Sequence, residues 1–214
     1  MAPLAVSGES QGLCEHGRRQ SPIDIVAPVR QALPLIEFYY QDAPRKIAND
    51  GHTVRVRFAN GSHIVLGAES YALQQFHFHT PGGDRIAGEE FAMAVHLVHK
   101  SKTGRLLVIV VLFRKGAENP MLATLLPTVP LLANGDHALS DVRLGAASLV
   151  PARHGYYSYD GSLTGPPCTE DVTWLVMKEP LELSAAQLVR YRRMFSDNAR
   201  PVQPLNGRVV RESQ

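Results

Sequence analysis

Two histidines separated by one residue are the clearest chemical signal in the chain. They are His77 and His79, in a segment, residues 75–79, whose composition is typical of a strand. Because successive side chains of a strand point to opposite faces, the two imidazoles share a face and lie roughly 6.5–7 Å apart along the chain. Such a pair can bind one metal ion, while Phe76 and Phe78 pack on the other face. A solvent-exposed pair of histidines is the alternative.

A second segment, residues 91–99, adds His96 and His99. On a strand these two residues, three apart, point to opposite faces, so only one of them can join His77 and His79. The spacing alone does not decide which. Three neutral imidazoles leave the charge of a divalent ion uncompensated, so that water in the fourth position ionises near neutral pH. The sequence therefore predicts a metal site that activates water.

The composition indicates what kind of frame holds these histidines. The chain has 214 residues, 44% hydrophobic and 20% charged, as in soluble globular proteins, and its length suits one domain or two small ones. The formal net charge of +2 is too small to indicate a nucleic-acid-binding protein. No run of about 18 apolar residues predicts a membrane span.

Short strands between frequent turn signals dominate the pattern, and helical periodicity is scarce. Strands are predicted at residues 53–58, 62–66, 106–113 and 172–177. The pair Asn60-Gly61 predicts a hairpin between the first two. Helices are predicted at 185–195, with Ser184 as N-cap, and at 119–126, with Pro120 in the first turn. The chain is expected to be mainly β.

Two cysteines and the first residues bear on the cellular compartment. Cys14 and Cys168 are the only cysteines; they are either two unrelated buried thiols or one disulfide formed in an oxidising compartment. Residues 1–12 lack the basic region and the long apolar run of an intact signal peptide.

Several stretches in a fixed order resemble the α-class carbonic anhydrases. They are residues 20–25, 49–52, 75–79, 96–99 and 162–168, followed by 172–174 and 200–206 in the tail. The resemblance covers residue 14 to about residue 211, and on these stretches the chain is identified as a member of that family. The resemblance implies one domain over residues 1–214, of mainly β (α+β) class. Its fold would be a central twisted, largely antiparallel sheet with short peripheral helices and a conical cleft.

The resemblance also implies a reaction and the residues that perform it. His77, His79 and His96 match the family's zinc ligands, which favours His96 over His99. The implied function is the reversible hydration of CO2 to bicarbonate and a proton by zinc-bound hydroxide. Thr164 matches the hydroxyl that orients this hydroxide. His52 matches the proton shuttle, and an imidazole with a pKa near 6.5 is suited to that task.

Further residues match the family's supporting positions. The implied CO2 pocket comprises Val98, Val108, Leu163, Thr164, Gly165, Val172 and Trp174. Ordinary core packing is the alternative for the five apolar ones. Gln75 resembles the side chain that accepts a hydrogen bond from a ligand histidine. Pro22 and Pro167 match prolines that are cis in the family.

The resemblance carries expectations about partners and location as well. Cys14 and Cys168 match a disulfide of secreted and bacterial relatives, which points to a periplasmic or secreted protein, with the cytoplasm as alternative. Zn²⁺ is the expected cofactor, and sulfonamides are expected to inhibit. The protein is expected to be a monomer or a homodimer.

Two positions depart from the family pattern close to the site. Gly83 stands where the family has a Glu that accepts the proton of the Thr hydroxyl, and Asp84 comes one residue later. Ala94 stands where a Glu would support the third ligand. Loss of one oriented hydrogen bond costs about 1–3 kcal/mol, roughly ten- to a hundredfold in rate. A missing partner of a ligand costs about 10–100-fold in metal affinity or activity.

These departures leave a second hypothesis open, a zinc-binding carbonic anhydrase-related protein with weak or no activity that acts in structure or partner binding. Residues 1–13 also lack the aromatic landmarks of the family and are expected to be atypical or truncated. A cupin-type oxygenase, which also places two such histidines on a strand, is disfavoured. It would have a Glu soon after His79, where this chain has Thr80-Pro81-Gly82-Gly83.

Overall fold

The computed structural model describes residues 9–42, 44–130, 135–138, 144–195 and 197–214. Over these residues, thirteen strands form one large twisted mixed sheet, and two more form a small pair. The strands are β1 (Asp24–Ile25), β2 (Val29–Gln31), β3 (Ile36–Tyr39), β4 (Pro44–Asn49), β5 (Val54–Phe58), β6 (His63–Leu66), β7 (Glu69–His79), β8 (Arg85–Ile86), β9 (Met93–Ser101), β10 (Leu106–Lys115), β11 (Gly135–Ala138), β12 (Tyr156–Gly161), β13 (Val172–Met177), β14 (Leu181–Leu183) and β15 (Arg211–Ser213). The helices are α1 (Glu9–His16), α2 (Pro120–Leu125) and α3 (Ala185–Met194), with short 3₁₀ helices at Leu126–Thr128 and Ala146–Leu149.

The sheet is largely antiparallel, as predicted. Its strand order is β11-β4-β5-β7-β9-β10-β13-β12-β15-β2. In addition, β6 pairs with the first residues of β7, β3 pairs with β6, and β14 pairs with β10. Parallel pairs join β10 to β13 and β14, and β15 to β2. The small pair is β1 with β8. None of the described helices is both long and apolar enough to cross a membrane.

The central strands follow the hydrophobic pattern of the sequence. β13 coincides with its predicted run and β10 extends two residues beyond its own, and the predicted part of each strand is almost wholly buried. Helix α3 has the predicted N-cap, and the Ser184 side chain accepts a hydrogen bond from the Gln187 backbone N–H. Asn119 caps α2, and Pro120 begins that helix. The strand and helix predictions for these segments are confirmed to within a few residues.

The hairpin predicted at Asn60-Gly61 is wrong. β5 and β6 do not pair with each other; both pair antiparallel with β7, one after the other. The chain makes a turn at Asn60-Gly61 and continues in the same direction, because the eleven residues of β7 are long enough to pair with both strands. The real hairpin joins β6 to β7 through a two-residue loop, where Gly67 has a φ of +62° that suits glycine.

An irregularity in β7 decides which side chains face the cleft. Tyr71 and Leu73 are buried, and so are Phe76 and Phe78, although residues 73 and 76 differ in parity. The pairing with β9 shifts between Leu73 and Gln75, which adds one residue to β7. This bulge keeps all four apolar side chains in one core cluster and turns the alternate residues after it to the opposite face.

A buried carboxyl lies between the small β1–β8 pair and the large sheet. Oδ1 of Asp84 accepts hydrogen bonds from the Ile23 backbone N–H (3.0 Å) and the Tyr159 hydroxyl (2.9 Å). The other oxygen, Oδ2, is buried without a partner in the described part of the chain. Burial raises the pKa of Asp84 from 3.8 to about 7, against the opposing effect of these hydrogen bonds and of Arg208.

Replacement of this carboxyl should alter the pH dependence of folding. An acid whose pKa is raised on folding contributes stability that is complete below pH 3.8 and lost as the pH rises to about 7. We expect Asp84→Asn, which retains the Oδ1 acceptor, to gain stability relative to the wild type by up to about 1.4 kcal/mol per pH unit across that window. Urea unfolding at several pH values measures the difference.

The control for this comparison is Asp160→Asn, which removes an exposed carboxylate next to Tyr159 in the sequence. It should leave the pH dependence of unfolding close to that of the wild type. A parallel pH dependence in Asp84→Asn and wild type would contradict the prediction.

Candidate active site

Three histidines from two neighbouring strands meet on the face opposite the main core cluster. His77 lies directly across from His96 in the β7–β9 register, and His79 lies two residues further along β7. One nitrogen of each ring lies within 4.8 Å of the others, which suits a shared metal ion. The ring centroids are 5.3 Å apart for His77 and His96 and 4.4 Å apart for His79 and His96.

His99, which the strand pattern left as an alternative, lies on the other face. It is fully buried, and its Nε2 lies 2.8 Å from the Tyr40 hydroxyl. Burial lowers the pKa of His99 to about 3. Its environment indicates a neutral histidine with a structural role.

The surroundings of the three histidines hold them neutral, as metal ligands must be. Burial lowers the pKa of His79 to about 4 and those of His77 and His96 well below 6.5. Neutral imidazole nitrogen is a preferred ligand of Zn²⁺. Nε2 of His79 is buried without a hydrogen-bond partner among the described residues, so that its lone pair is available to an ion. The donor set therefore fits a zinc ion.

Two acceptors orient the rings on β7. Nδ1 of His77 lies 2.9 Å from Oε1 of Gln75, the residue for which the sequence predicts this contact. Nδ1 of His79 lies 3.3 Å from the main-chain carbonyl of Asn198. With Nδ1 donating in both cases, Nε2 of each ring is left free to bind an ion.

The histidines lie in a cleft of about 670 Å³ with a partly apolar wall. Val98, Leu163, Thr164 and Gly165 line it, as expected from the sequence. The other predicted pocket residues, Val108, Val172 and Trp174, are not among the residues that line the cleft; they are buried in the apolar cluster behind it.

Strand register explains why these buried residues still shape the site. Val98, Val108 and Trp174 lie side by side across β9, β10 and β13. The ring of Trp174 also meets the edge of His96, with 5.0 Å between centroids. Val108 and Trp174 thus pack behind the apolar wall of the cleft, and Trp174 also packs against His96.

His52 lies at the mouth of the cleft, where it is exposed. The side chain of Asn49 accepts a hydrogen bond from the backbone N–H of Gly51. Oδ1 of Asp50 accepts hydrogen bonds from the backbone N–H groups of His52 and Thr53. Gly51 has a φ of +84°, which a side chain would strain. This turn therefore holds an accessible imidazole beside the cleft.

Asn198 connects the turn of His52 to the histidines, and the sequence analysis missed it. Its Nδ2 donates to the carbonyl of His52 (2.7 Å) and to that of Phe78 (3.2 Å). Its Oδ1 accepts from the backbone N–H of Thr80 (2.8 Å). Together with the carbonyl contact to His79, one residue thus fixes the end of β7 and the turn that carries His52. No spacing rule would reveal it, because Asn198 is more than 100 residues away in the sequence from each of these partners.

The loop that carries Thr164 is fixed at both ends. The Leu163 backbone N–H donates to the Thr169 carbonyl, and that of Cys168 donates to the Gly165 carbonyl. Cys168 is joined to Cys14 by a disulfide bond. The peptide bonds before Pro22 and Pro167 are cis, as the resemblance implies.

Asp84 does not replace the missing Glu as a partner of Thr164. Its Oδ1 is engaged by Ile23 and Tyr159, and its carboxyl lies beside a separate cavity of about 120 Å³. No hydrogen-bond acceptor for the Thr164 hydroxyl occurs among the described residues. Gly83 has a φ of +82°, so a Glu at this position would strain the backbone. A Glu at position 83 would therefore require a different backbone conformation in this loop.

Ala94 leaves a gap in the support of the third histidine. It is fully buried, lies opposite His79 in the β7–β9 register, and shares its face of β9 with His96. The unpartnered Nε2 of His96 is consistent with the loss of a carboxylate acceptor at this position.

Comparison with known proteins agrees with the geometry of the site. Residues 7–214 match the family model of eukaryotic-type carbonic anhydrases. A carbonic anhydrase of Nostoc sp. is 40% identical over 206 residues, which cover 94% of this chain and 78% of that protein.

Two solved structures are similar over almost the whole chain. The α-carbonic anhydrase of Thermovibrio ammonificans, in complex with sulfanilamide, has a TM-score of 0.91 and 37% identity, covering 96% of this chain and 91% of its own. Carbonic anhydrase Cah3 of Chlamydomonas reinhardtii, in complex with acetazolamide, has a TM-score of 0.89 and 31% identity, covering 99% and 98%. Given the convergent histidines, the cleft and these matches, the chain belongs to the α, or eukaryotic-type, carbonic anhydrase family and is a carbonic anhydrase.

Proposed function

We propose that this protein catalyses the zinc-dependent, reversible hydration of CO2 to bicarbonate and a proton. The observation that carries the proposal is the convergence of three neutral histidines at one cleft, where His96 is buried and His77 and His79 are half-buried. His77, His79 and His96 would hold Zn²⁺. When bound there, the ion supplies a Lewis acid that lets water ionise near neutral pH, a property for which carbonic anhydrases are the standard example.

The residues of the chain divide the remaining tasks. Gln75 and the carbonyl of Asn198 hold the rings of His77 and His79 in one orientation. Val98 and Leu163 offer an apolar wall, which suits an uncharged and weakly polar molecule such as CO2. His52 moves protons between the cleft and solvent from its exposed position at the mouth.

The orientation of the Thr164 hydroxyl is expected to limit the rate of CO2 hydration. A hydroxyl has one donor and two acceptor sites, so it orients a neighbour in one sense only when its own proton is engaged elsewhere. Because Thr164 has no such acceptor among the described residues, its hydroxyl can rotate. We expect the hydration rate to be roughly ten- to a hundredfold below that of an enzyme with the acceptor. A metal-binding relative without activity is the extreme of this case, and the comparisons do not favour it.

The disulfide supports a proposal about location. Disulfides persist in oxidising compartments and are rare in the cytosol, so we propose a periplasmic or secreted protein. We also propose that residues 1–214 act as one domain, since β2 near the start and β15 near the end pair in the same sheet.

The proposed activity is tested on one zinc-loaded sample. We expect the sample to contain about one zinc per chain. It should also hydrate CO2, as measured by stopped-flow with a pH indicator, and acetazolamide should abolish this activity. Metal removal with a chelator should abolish the activity, and added Zn²⁺ should restore it. Full zinc occupancy with no hydration above the metal-free control would refute the proposed function.

A carboxylate restored beside the third histidine should strengthen metal binding. In Ala94→Glu the new side chain can accept a hydrogen bond from His96, so we expect zinc loss to a chelator to slow by roughly tenfold or more. Ala94→Leu adds similar bulk without an acceptor and serves as the control. An equal effect of both variants, or none from Glu, would contradict this account of the gap.

Loss of the Asn198 side-chain donors should impair proton transfer more than hydration. Asn198→Asp retains the acceptor for Thr80 and the carbonyl near His79 but loses the donors to His52 and Phe78. We expect kcat to fall by roughly tenfold, kcat/KM to change little, and imidazole buffer to restore kcat. His52→Ala provides the benchmark. Equal loss of kcat and kcat/KM without rescue by imidazole would show that Asn198 acts only through the structure of the site.

A further inference from the structure

A single arginine lines the cleft beside the candidate metal ligands. Arg55 lies directly across from His77 in the β5–β7 register, and it contributes to the lowered pKa of that histidine after the larger effects of burial and of His79. It is the one arginine or lysine among the described residues that line the cleft. A permanent positive charge therefore lies next to the position of the proposed zinc ion.

The guanidinium of Arg55 forms an ion pair, but not all of its N–H donors have a partner among the described residues. Its Nη2 lies 2.9 Å from Oδ2 of Asp50, and the side chain is 35% exposed. Its Nε is buried and has no hydrogen-bond partner in the described part of the chain. A buried N–H without a partner is costly, so a ligand that accepts a hydrogen bond from it would be favoured.

The cleft has little negative charge to oppose this cation. Asp50 and Asp197 are the only carboxylates among its described lining residues. Asp197 is 69% exposed and lies 3.6 Å from Arg192. At the two positions where the family pattern has a Glu, this chain has Gly83 and Ala94, which carry no charge. Asp50 is thus the main counter-charge of Arg55.

We propose that Arg55 forms an anion-binding subsite in the cleft, which binds bicarbonate and other small monoanions. Guanidinium is planar and always charged, and its N–H groups match the oxygens of a carboxylate-like anion. Because the Arg55 side chain is only 35% exposed, a contact with its accessible N–H groups would be stronger than one in bulk water. The assignment of bicarbonate as a ligand rests on the proposed function, whereas the binding of other monoanions does not depend on it.

Asp50 gives the proposal a second, opposite prediction. Its Oδ2 neutralises part of the charge of Arg55, while its Oδ1 accepts the backbone hydrogen bonds of the His52 turn. Asp50→Asn retains an Oδ1 acceptor for the turn but removes the negative charge. Anion binding should therefore weaken in Arg55→Gln and tighten in Asp50→Asn.

The test uses equilibrium displacement of a fluorescent sulfonamide from the zinc-loaded protein. Trp174 is the only tryptophan, and its ring lies 5.0 Å from His96, so energy transfer to bound dansylamide reports on the cleft. Sodium bicarbonate and sodium thiocyanate are the displacing anions, at constant ionic strength and pH. The uncharged ligand 1,2,4-triazole is titrated in parallel, and dansylamide affinity is measured separately for each variant.

We expect the dissociation constants of both anions to rise roughly three- to tenfold in Arg55→Gln and to fall in Asp50→Asn. The constant of triazole should change little. Arg30→Gln is the matched control, since it changes the net charge equally, on an edge strand and at an 82% exposed side chain. It should leave all constants unchanged.

Equal anion constants in Arg55→Gln and Arg30→Gln would overturn the proposal, as would an equal change for triazole. If Arg55→Gln no longer binds dansylamide, the anion affinity of Asp50→Asn provides the test. An affinity that is unchanged or weaker than that of the wild type would then contradict the proposed subsite. A zinc-loaded protein that hydrates no CO2 but shows the expected shifts would refute the proposed function and leave the subsite standing.

Discussion

The structure depends on keeping three imidazoles neutral and close together inside a protein. Buried histidines are stable only without charge, and each nitrogen then needs either a proton acceptor or a ligand. Adjacent antiparallel strands satisfy the geometry, because His77 and His96 are paired in register and His79 lies two residues away on the same face. The same burial that would destabilise charged histidines leaves their lone pairs available for a metal ion.

The surrounding frame follows from that requirement. The bulge in β7 allows its apolar residues to fill one core cluster while its histidines face the cleft. On the core side, the hydroxyl of Tyr191 on α3 contacts both the Phe78 carbonyl and the Thr53 hydroxyl. On the cleft side, Asn198 joins the end of β7 to the His52 turn. The positions of the three histidines and of His52 are thus held by one small set of hydrogen bonds.

Strand periodicity predicted part of the site from the sequence and could not predict the rest. Alternation placed His77 and His79 on one face, but the choice between His96 and His99 required the register of β7 and β9, which the pattern did not contain. The Asn60-Gly61 pair, a strong local hairpin signal, was overridden by the pairing of two strands with one long partner. Asn198 was missed because its partners are more than 100 residues away in the sequence, and Arg55 because only the β5–β7 register places it beside His77.

Two positions close to the site, Gly83 and Ala94, carry no acidic side chain where the family pattern has one. His96 Nε2 and the Thr164 hydroxyl have no acceptor among the described residues, whereas Arg55 adds a cation to the same cleft. The histidines still converge, so the arrangement retains a metal-binding core with less support around it.

X-ray absorption spectroscopy of the zinc-loaded protein tests this arrangement most directly. The account predicts three imidazole ligands on zinc in the wild type and in His99→Ala, and two in His96→Ala. Three imidazoles retained in His96→Ala but lost in His99→Ala, or a carboxylate in place of an imidazole in the wild type, would contradict it.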